Sequence, residues 1–301
     1  MNLVALTLLF LTAAAVAAAV SNLAIYAAPK LGFTAKPDPT VPNHVTSIPL
    51  LGGVAIMLGT MVGAPMLPVD LFNGCLLAGG ALAVCALGAY KDRIGTPVSS
   101  LSQMVVQAVA VTAAVAAVGA PPITGVAWLD TLLAIVTSVW LVNSINFLDV
   151  MDGLAGGICL IACAGAVTVL AVNGAMAWIP LPLALAGGLF GFLIFNLHPA
   201  RIFMGDIGSF GTGFVLVIIW LQVEHYCGSV VAALLVAVPL LEVPTSALLR
   251  LRNGTSPLNG DGTHISLLML RHGGRVRLIT AYFWIAEAVS VTVACGLTSL
   301  E

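Results

Sequence analysis

Long apolar runs, separated by short polar or Gly/Pro-containing breaks, dominate the chain. A helix that crosses a bilayer needs about 20 mostly apolar residues. Runs of that kind cover 3–26, 48–67, 71–90, 101–119, 128–147, 154–172, 178–197, 207–223, 228–249 and 278–299. They predict an all-α polytopic membrane protein with about ten transmembrane helices, residues 1–301 forming a single integral-membrane domain. The first run lacks a basic leader, and from Leu3 to Ala28 it exceeds the roughly 7–15 apolar residues of a signal-peptide core, so it reads as the first membrane helix. Gly187-Gly188, Gly211 and Gly213 lie within runs, where small residues let membrane helices approach closely.

The polar residues between the runs carry a second pattern. Lys30 and Lys36 follow the first run, Lys91 and Arg93 the third, Arg201 the seventh, and Arg250, Arg252, Arg271, Arg275 and Arg277 the ninth. That is every Lys and Arg in the chain, and all follow odd-numbered runs. Basic residues concentrate in cytoplasmic loops. The long loops are therefore expected in the cytoplasm, both termini on the periplasmic or exterior side, and the protein in the inner (plasma) membrane with its functional groups facing inward.

Composition narrows the class further. Only 7% of residues are charged and 60% are hydrophobic, against about 25% charged in soluble domains, so a water-soluble surface is excluded. The net charge of −2 points to no nucleic-acid partner. The six cysteines lie within apolar runs or at their edge, without zinc-ligand spacing, and read as packing residues.

Seven acids lie in or beside the inner loops: Asp38, Asp92, Asp149, Asp152, Asp206, Glu242 and Asp261. Three segments concentrate them with other polar groups. The first is Asn143-Ser-Ile-Asn146-Phe-Leu-Asp149-Val-Met-Asp152-Gly153. The second runs from Asn196 and His198 through Arg201 and Phe203 to Gly205-Asp206-Ile-Gly208-Ser209. The third extends from Arg250 through Asn253 and Asp261 to His264. Carboxylates at a membrane boundary are costly unless paired or solvated. Asp149 and Asp152, three apart, would share a helix face if the fifth helix reached them, and their repulsion favours a cation nearby. Mg²⁺ takes one or two carboxylates and completes its shell with water and substrate phosphates. Lys91, Arg201 and Arg250 supply positive charge for phosphate oxygens. The combination describes a Mg²⁺–diphosphate site at a lipid interface, with Mn²⁺ as the alternative ion.

The segments Phe203-Met-Gly-Asp206-Ile-Gly-Ser209 and Asn143-x-x-Asn146-x-x-Asp149-x-x-Asp152-Gly-Leu-Ala, with Pro37–Gly53 and Gly88–Gln107 ahead of them, occur in the order and on the side seen in a known family. Over roughly residues 30–275 the chain resembles the bacterial polyprenyl-phosphate N-acetylhexosamine-1-phosphate transferases, the MraY/WecA/TagO type of glycosyltransferase family 4. The resemblance implies a Mg²⁺-dependent enzyme that moves a sugar-1-phosphate from a UDP-sugar to undecaprenyl or another polyprenyl phosphate, releases UMP, and opens a cell-envelope glycan pathway. It implies metal and diphosphate binding at Asp152 and Asp206, with Asp149 the other acid of that loop. Phe203 would stack on uracil, with Asn146 and Asn196 lining the nucleotide pocket. Arg201, Arg250, His264 and Asp261 would face phosphates and sugar, and Asp92 would handle the lipid phosphate. Family relatives can be dimeric, which leaves a homodimer open.

Four positions depart from the family pattern. Lys91 replaces the first acid of an aspartate pair, Gln103 replaces a lysine, Val150 replaces a glycine and Ser266 replaces a histidine. Lys91 would then hold the lipid phosphate as a cation and joins Asp92, Asp149 and Asp152 among the expected catalytic residues. The missing histidine favours an N-acetylhexosamine donor over the muramyl-pentapeptide branch. The alternative readings are a catalytically degenerate member, or a non-enzymatic lipid or sugar carrier or transporter.

Overall fold

The computed structural model describes residues 2–35, 47–95, 98–256 and 263–299. Helix α1, Leu3–Leu31, is opened by the Asn2 side chain, which accepts the Ala5 N–H. A two-stranded antiparallel hairpin follows, β1 Thr34–Ala35 and β2 Ile48–Pro49. Then come α2 Gly52–Met61, α3 Leu71–Ile94, α4 Ser100–Val118, α5 Ala127–Leu148, α6 Leu154–Val172 and α7 Pro180–Asn196. The last four helices are α8 Gly205–Leu234, α9 Ala237–Arg252, α10 Ile265–Arg271 and α11 Val276–Thr298.

The protein is an all-α polytopic membrane protein, and eight of these helical segments are long and apolar enough to cross a bilayer. Two expected spans differ. The run 48–67 is divided among β2, the ten-residue α2 and a short 3-10 turn at Ala64–Met66. The run 228–249 is interrupted twice. Gly228 leaves helical geometry at φ 81°, ψ 164°, and the chain breaks again at Leu235–Val236 before α9. Pro239 lies in the first turn of α9, where its missing N–H is harmless. Glu287 of α11, with no exposed surface, accepts the free Val238 N–H at 3.0 Å and closes the restarted end.

Burial separates inner from outer helices. In α8 every residue from Ile207 to Glu224 is buried, as befits a helix that is apolar around its circumference. Phe192, Phe210, Phe214, Ile145, Leu148 and Ile158 fill the space around it. The outer helices instead present large apolar side chains outward, such as Leu71, Leu101 and Trp128 at 70–84% exposure, a surface suited to lipid rather than water.

One inner-loop junction positions everything that follows. Phe203 N–H donates to Pro49 O (2.8 Å), Gly52 N–H to Phe203 O (3.0 Å) and Gly53 N–H to Met204 O (2.9 Å). The entry to α2 is thereby laced to the entry of α8. Gly53 permits this approach, since a Cβ there would stand 2.2 Å from the Gly208 nitrogen.

Candidate active site

The N-terminus of α8 begins at Gly205, whose φ of 67° and close neighbours, Leu50 O and the Asp92 carboxylate, leave no room for a side chain. The last turn of α3 meets this end. Asp92 accepts the Asp206 N–H at Oδ1 (2.9 Å) and the Ile207 N–H at Oδ2 (3.1 Å). It satisfies two of the free donors of α8 from a different helix.

Asp206 is thereby aimed at two partners. Its Oδ1 accepts from Asn146 Nδ2 at 2.7 Å, and its Oδ2 pairs with Lys91 Nζ at 3.1 Å. Asn146 also donates to Ser209 Oγ at 2.8 Å. Lys91 lies over the Phe210 ring, 4.6 Å from its centre, and donates to Gln103 Oε1 at 2.9 Å. From Gln103 the chain of hydrogen bonds continues to Asn143 Oδ1 (3.0 Å), and Asn143 Nδ2 donates to Gln107 Oε1 (2.6 Å). Helices α3, α4, α5 and α8 thus meet in one polar network. Lys91 and Gln103, two of the departures from the family pattern, touch each other.

Helix α5 ends at Leu148, and the chain turns through Asp149–Asp152 before Gly153 restarts it at φ 73°. Asp149 and Asp152 therefore do not share a helix face, contrary to the expectation from their spacing. Among the described residues none hydrogen-bonds the Asp149 carboxylate, which is half-buried. Burial, with the like charges of Asp206, Asp92 and Asp152, pushes its carboxyl well above the usual range. The same repulsion places Asp149 within electrostatic reach of three other acids.

Asp152 has partners of its own. Its Oδ2 contacts His198 Nδ1 at 2.7 Å and accepts the Ala200 N–H at 3.1 Å. His198 thus meets a carboxylate. Asn196 is buried and occupied locally, Oδ1 accepting the Gly153 N–H (2.9 Å) and Nδ2 donating to Ile202 O (2.8 Å). It fastens the Asp152 turn to the segment carrying Arg201 and Phe203. Arg201 is exposed and stacks on Phe195, 4.7 Å from its centre, while Phe203 is half-buried.

A third group gathers around Phe147, next to Asn146. Arg250 is buried with its guanidinium 5.4 Å from the Phe147 ring centre, and His264 meets the same ring edge-on at 5.3 Å. His264 Nδ1 is 2.9 Å from Glu242 Oε1. Asp261 lies outside the described residues. Segment 143–152 is the spine that joins all three groups.

No three His, Cys, Asp or Glu side chains among the described residues converge as a metal cage. Mg²⁺ does not require one, since it retains water and takes one or two carboxylates. Asp149 and Asp152 of the spine stand near Asp92 and Asp206, with Lys91 paired to Asp206 and His198 to Asp152, and the Asp149 oxygens, without a hydrogen-bond partner among the described residues, suit such an ion. Gln103 was legible only as a departure from the family pattern, and its contacts, the bond between Asn143 and Gln107, and the pairing of Glu242 with His264 were not expected. The signal was present as polar residues four apart in an apolar helix, and as an acid within an apolar run.

The glycosyl transferase family 4 profile matches residues 75–224, from α3 to the upper part of α8. The chain is 32% identical over 287 residues to a decaprenyl-phosphate N-acetylglucosaminephosphotransferase of Mycobacterium leprae, covering 80% of this chain and 72% of the relative. It is 28% identical over 290 residues to an undecaprenyl-phosphate alpha-N-acetylglucosaminyl 1-phosphate transferase of Salmonella typhi, covering 90% and 77%. A phospho-N-acetylmuramoyl-pentapeptide-transferase of Moorella thermoacetica is 33% identical over 205 residues, covering 61% and 64%. With similarity extending over most of its length and the acidic groups gathered along one spine, this chain belongs to glycosyl transferase family 4, among the polyprenyl-phosphate N-acetylhexosamine-1-phosphate transferases.

Proposed function

We propose that the protein transfers N-acetylhexosamine-1-phosphate from a UDP-sugar to a polyprenyl phosphate and releases UMP, at the cytoplasmic end of its helices in the inner membrane. The observation that carries this reading is the cluster in which Asp92 orders the start of α8, and Asn146 and Lys91 hold Asp206 beside Asp149. The acceptor phosphate attacks the sugar-side phosphorus of the donor, the bond to the UMP oxygen breaks, and no covalent enzyme intermediate is needed. Such reactions depend on positioning and charge neutralisation. Asp206, Asp149 and Asp152 would hold Mg²⁺, or Mn²⁺, which when bound neutralises diphosphate charge. Arg201 and Arg250 bring cationic groups to phosphate oxygens. Phe203 offers an aromatic face to uracil, and Asn146 keeps Asp206 oriented while the nucleotide binds.

Lys91 decides between an active and a decayed enzyme. A carboxylate at 91 facing a lysine at 103, as in the family pattern, would be an ion pair. Here the cation stands on α3 and its neutral partner on α4, and the two still hydrogen-bond at 2.9 Å. Paired change at touching positions supports a retained ammonium next to Asp206 rather than loss. A polyprenyl phosphate is mostly dianionic near pH 7 and needs a cation more than a base. An N-acetylglucosamine donor is favoured over the muramyl-pentapeptide one, because relatives named for the former match 76–90% of this chain and the latter 61%.

The test is UMP release by purified protein given undecaprenyl phosphate, Mg²⁺ and a panel of UDP-sugars, with mass spectrometry of the lipid product. A polyprenyl diphosphate-linked N-acetylhexosamine is expected. Folded protein that turns over none of the panel would favour the carrier or degenerate-subunit reading.

A further inference from the structure

Helix α9 is arranged with its polar face inward. Glu242, Ser246 and Arg250 follow one another at four-residue intervals and are 0–3% exposed, whereas Leu241, Leu248 and Leu251 on other faces are 48–63% exposed. Burying a carboxylate and a guanidinium on one stripe is costly unless each is engaged. The stripe faces α5 and the residues from 263 onward. Glu242 Oε1 accepts from Ser246 Oγ at 3.0 Å and lies 2.9 Å from His264 Nδ1. The serine hydroxyl spends its proton on the carboxylate, so it does not donate to the ring, which stands 3.4 Å away. A carboxylate that already accepts from a hydroxyl accepts from the imidazole as well, and this requires the proton on Nδ1. In the neutral ring the lone pair is then on Nε2. His264 is only 7% exposed, packs edge-on against Phe147, and shares that ring with Arg250. Phe147 adjoins Asn146, which holds Asp206.

We propose that Glu242 is a positioning residue that fixes the tautomer of His264, so that Nε2 serves as a hydrogen-bond acceptor for a hydroxyl or amide N–H on the sugar of the donor. This deepens the function proposed above and rests on it. Arg250, four residues beyond Ser246 on the same stripe, supplies charge, and the histidine supplies the acceptor. The division assigns sugar contact to His264 at the start of α10, apart from the α3–α8 cluster around Asp206. Glu242 touches no substrate in this scheme, and its effect passes through the ring.

Two measurements test it. In wild-type protein with ¹⁵N-labelled histidine rings, the His264 signal, assigned by its loss in His264→Asn, is expected to report a neutral ring protonated at Nδ1 and bare at Nε2. A ring protonated at Nε2, whether neutral or doubly protonated, overturns the proposal. In calorimetry, Glu242→Leu, which removes the acceptor oxygen that glutamine would keep, is expected to weaken UDP-N-acetylglucosamine binding by about five- to tenfold, the worth of one hydrogen bond, while leaving UDP, which lacks the sugar, unchanged. Adding His264→Asn should cause no further loss. Equal weakening of both ligands marks a purely structural residue and overturns the proposal, as does no weakening of either. If wild-type protein binds no UDP-sugar, the proposed function itself fails, while the ring measurement still decides the role of Glu242.

Discussion

Asp206 carries a negative charge between an amide and an ammonium, and its neighbours can be changed one at a time. Asp206→Asn keeps an oxygen for Asn146 but removes the ion pair with Lys91. Turnover is expected to fall at least about 100-fold with an unchanged size-exclusion profile, as when a preorganised charge contact to a reacting phosphate is lost. Retained activity would remove Asp206 from the mechanism. Lys91→Asp sets a third acid against Asp92 and Asp206 and should abolish activity, while adding Gln103→Lys restores a cation to the same contact and should recover part of it. If the double variant is as inactive as the single one, the compensated-exchange reading fails. Asp149 predicts a pH effect. Burial and the neighbouring acids raise its folded carboxyl above that of an unfolded chain, about 3.9, so it keeps its proton to higher pH when folded. The native state binds more protons, so metal-free stability falls as pH rises through the folded value. Thermal melts without Mg²⁺ should show Asp149→Asn gaining on the wild type as pH rises above the ordinary carboxylate range, and a constant difference would contradict it. At this scale the sequence named Asp206, Asn146 and Lys91 as site residues. It could not show that Lys91 reaches Asp206, which depends on how the end of α3 meets the start of α8, or that Asp152 pairs with His198, which depends on where α5 stops.

The elements were legible where hydropathy alone decides. Runs of about 20 apolar residues became helices with little change in position. Runs interrupted by backbone geometry were not legible. Nothing in the apolar stretch around 228–249 announces that Gly228 leaves the helix, or that Glu287, far along the chain, receives the freed N–H of Val238. The short α2 was hidden likewise, since its exposed donors are satisfied by Phe203 and Met204 across the molecule. Two tests belong here. Asp92→Ala removes the acceptor that closes the start of α8 and should lower stability by about 0.5–2 kcal/mol, in the range of other lost helix caps, with a larger fractional loss of activity because Asp206 is freed. Gly53→Ala would drive a methyl group into the Gly208 backbone. A lower melting temperature is expected, together with loss of activity. Wild-type behaviour would mean that α2 does not brace the α8 terminus.

On the scale of the whole molecule, every Lys and Arg was assigned to one side of the membrane from sequence. In the structure, Lys91, Arg201 and Arg250 gather about the spine at residues 143–152 through Asp206, Phe195 and Phe147. Single cysteines placed at Asn173 and at Arg275 in a cysteine-free background should react with an impermeant maleimide from outside and from inside the cell, respectively. The reverse pattern would turn the active end toward the exterior and separate it from cytoplasmic UDP-sugars. The central claim is that these acids let one phosphate attack another with the sugar still attached. Following the label from UDP-N-acetylglucosamine carrying ³²P in its β-phosphate tests this most directly. The account predicts label in the polyprenyl lipid with Mg²⁺ present, and none with chelator or with Asp206→Asn. Label that stays in soluble nucleotide while the sugar alone moves to the lipid, or transfer that survives Asp206→Asn, would contradict it.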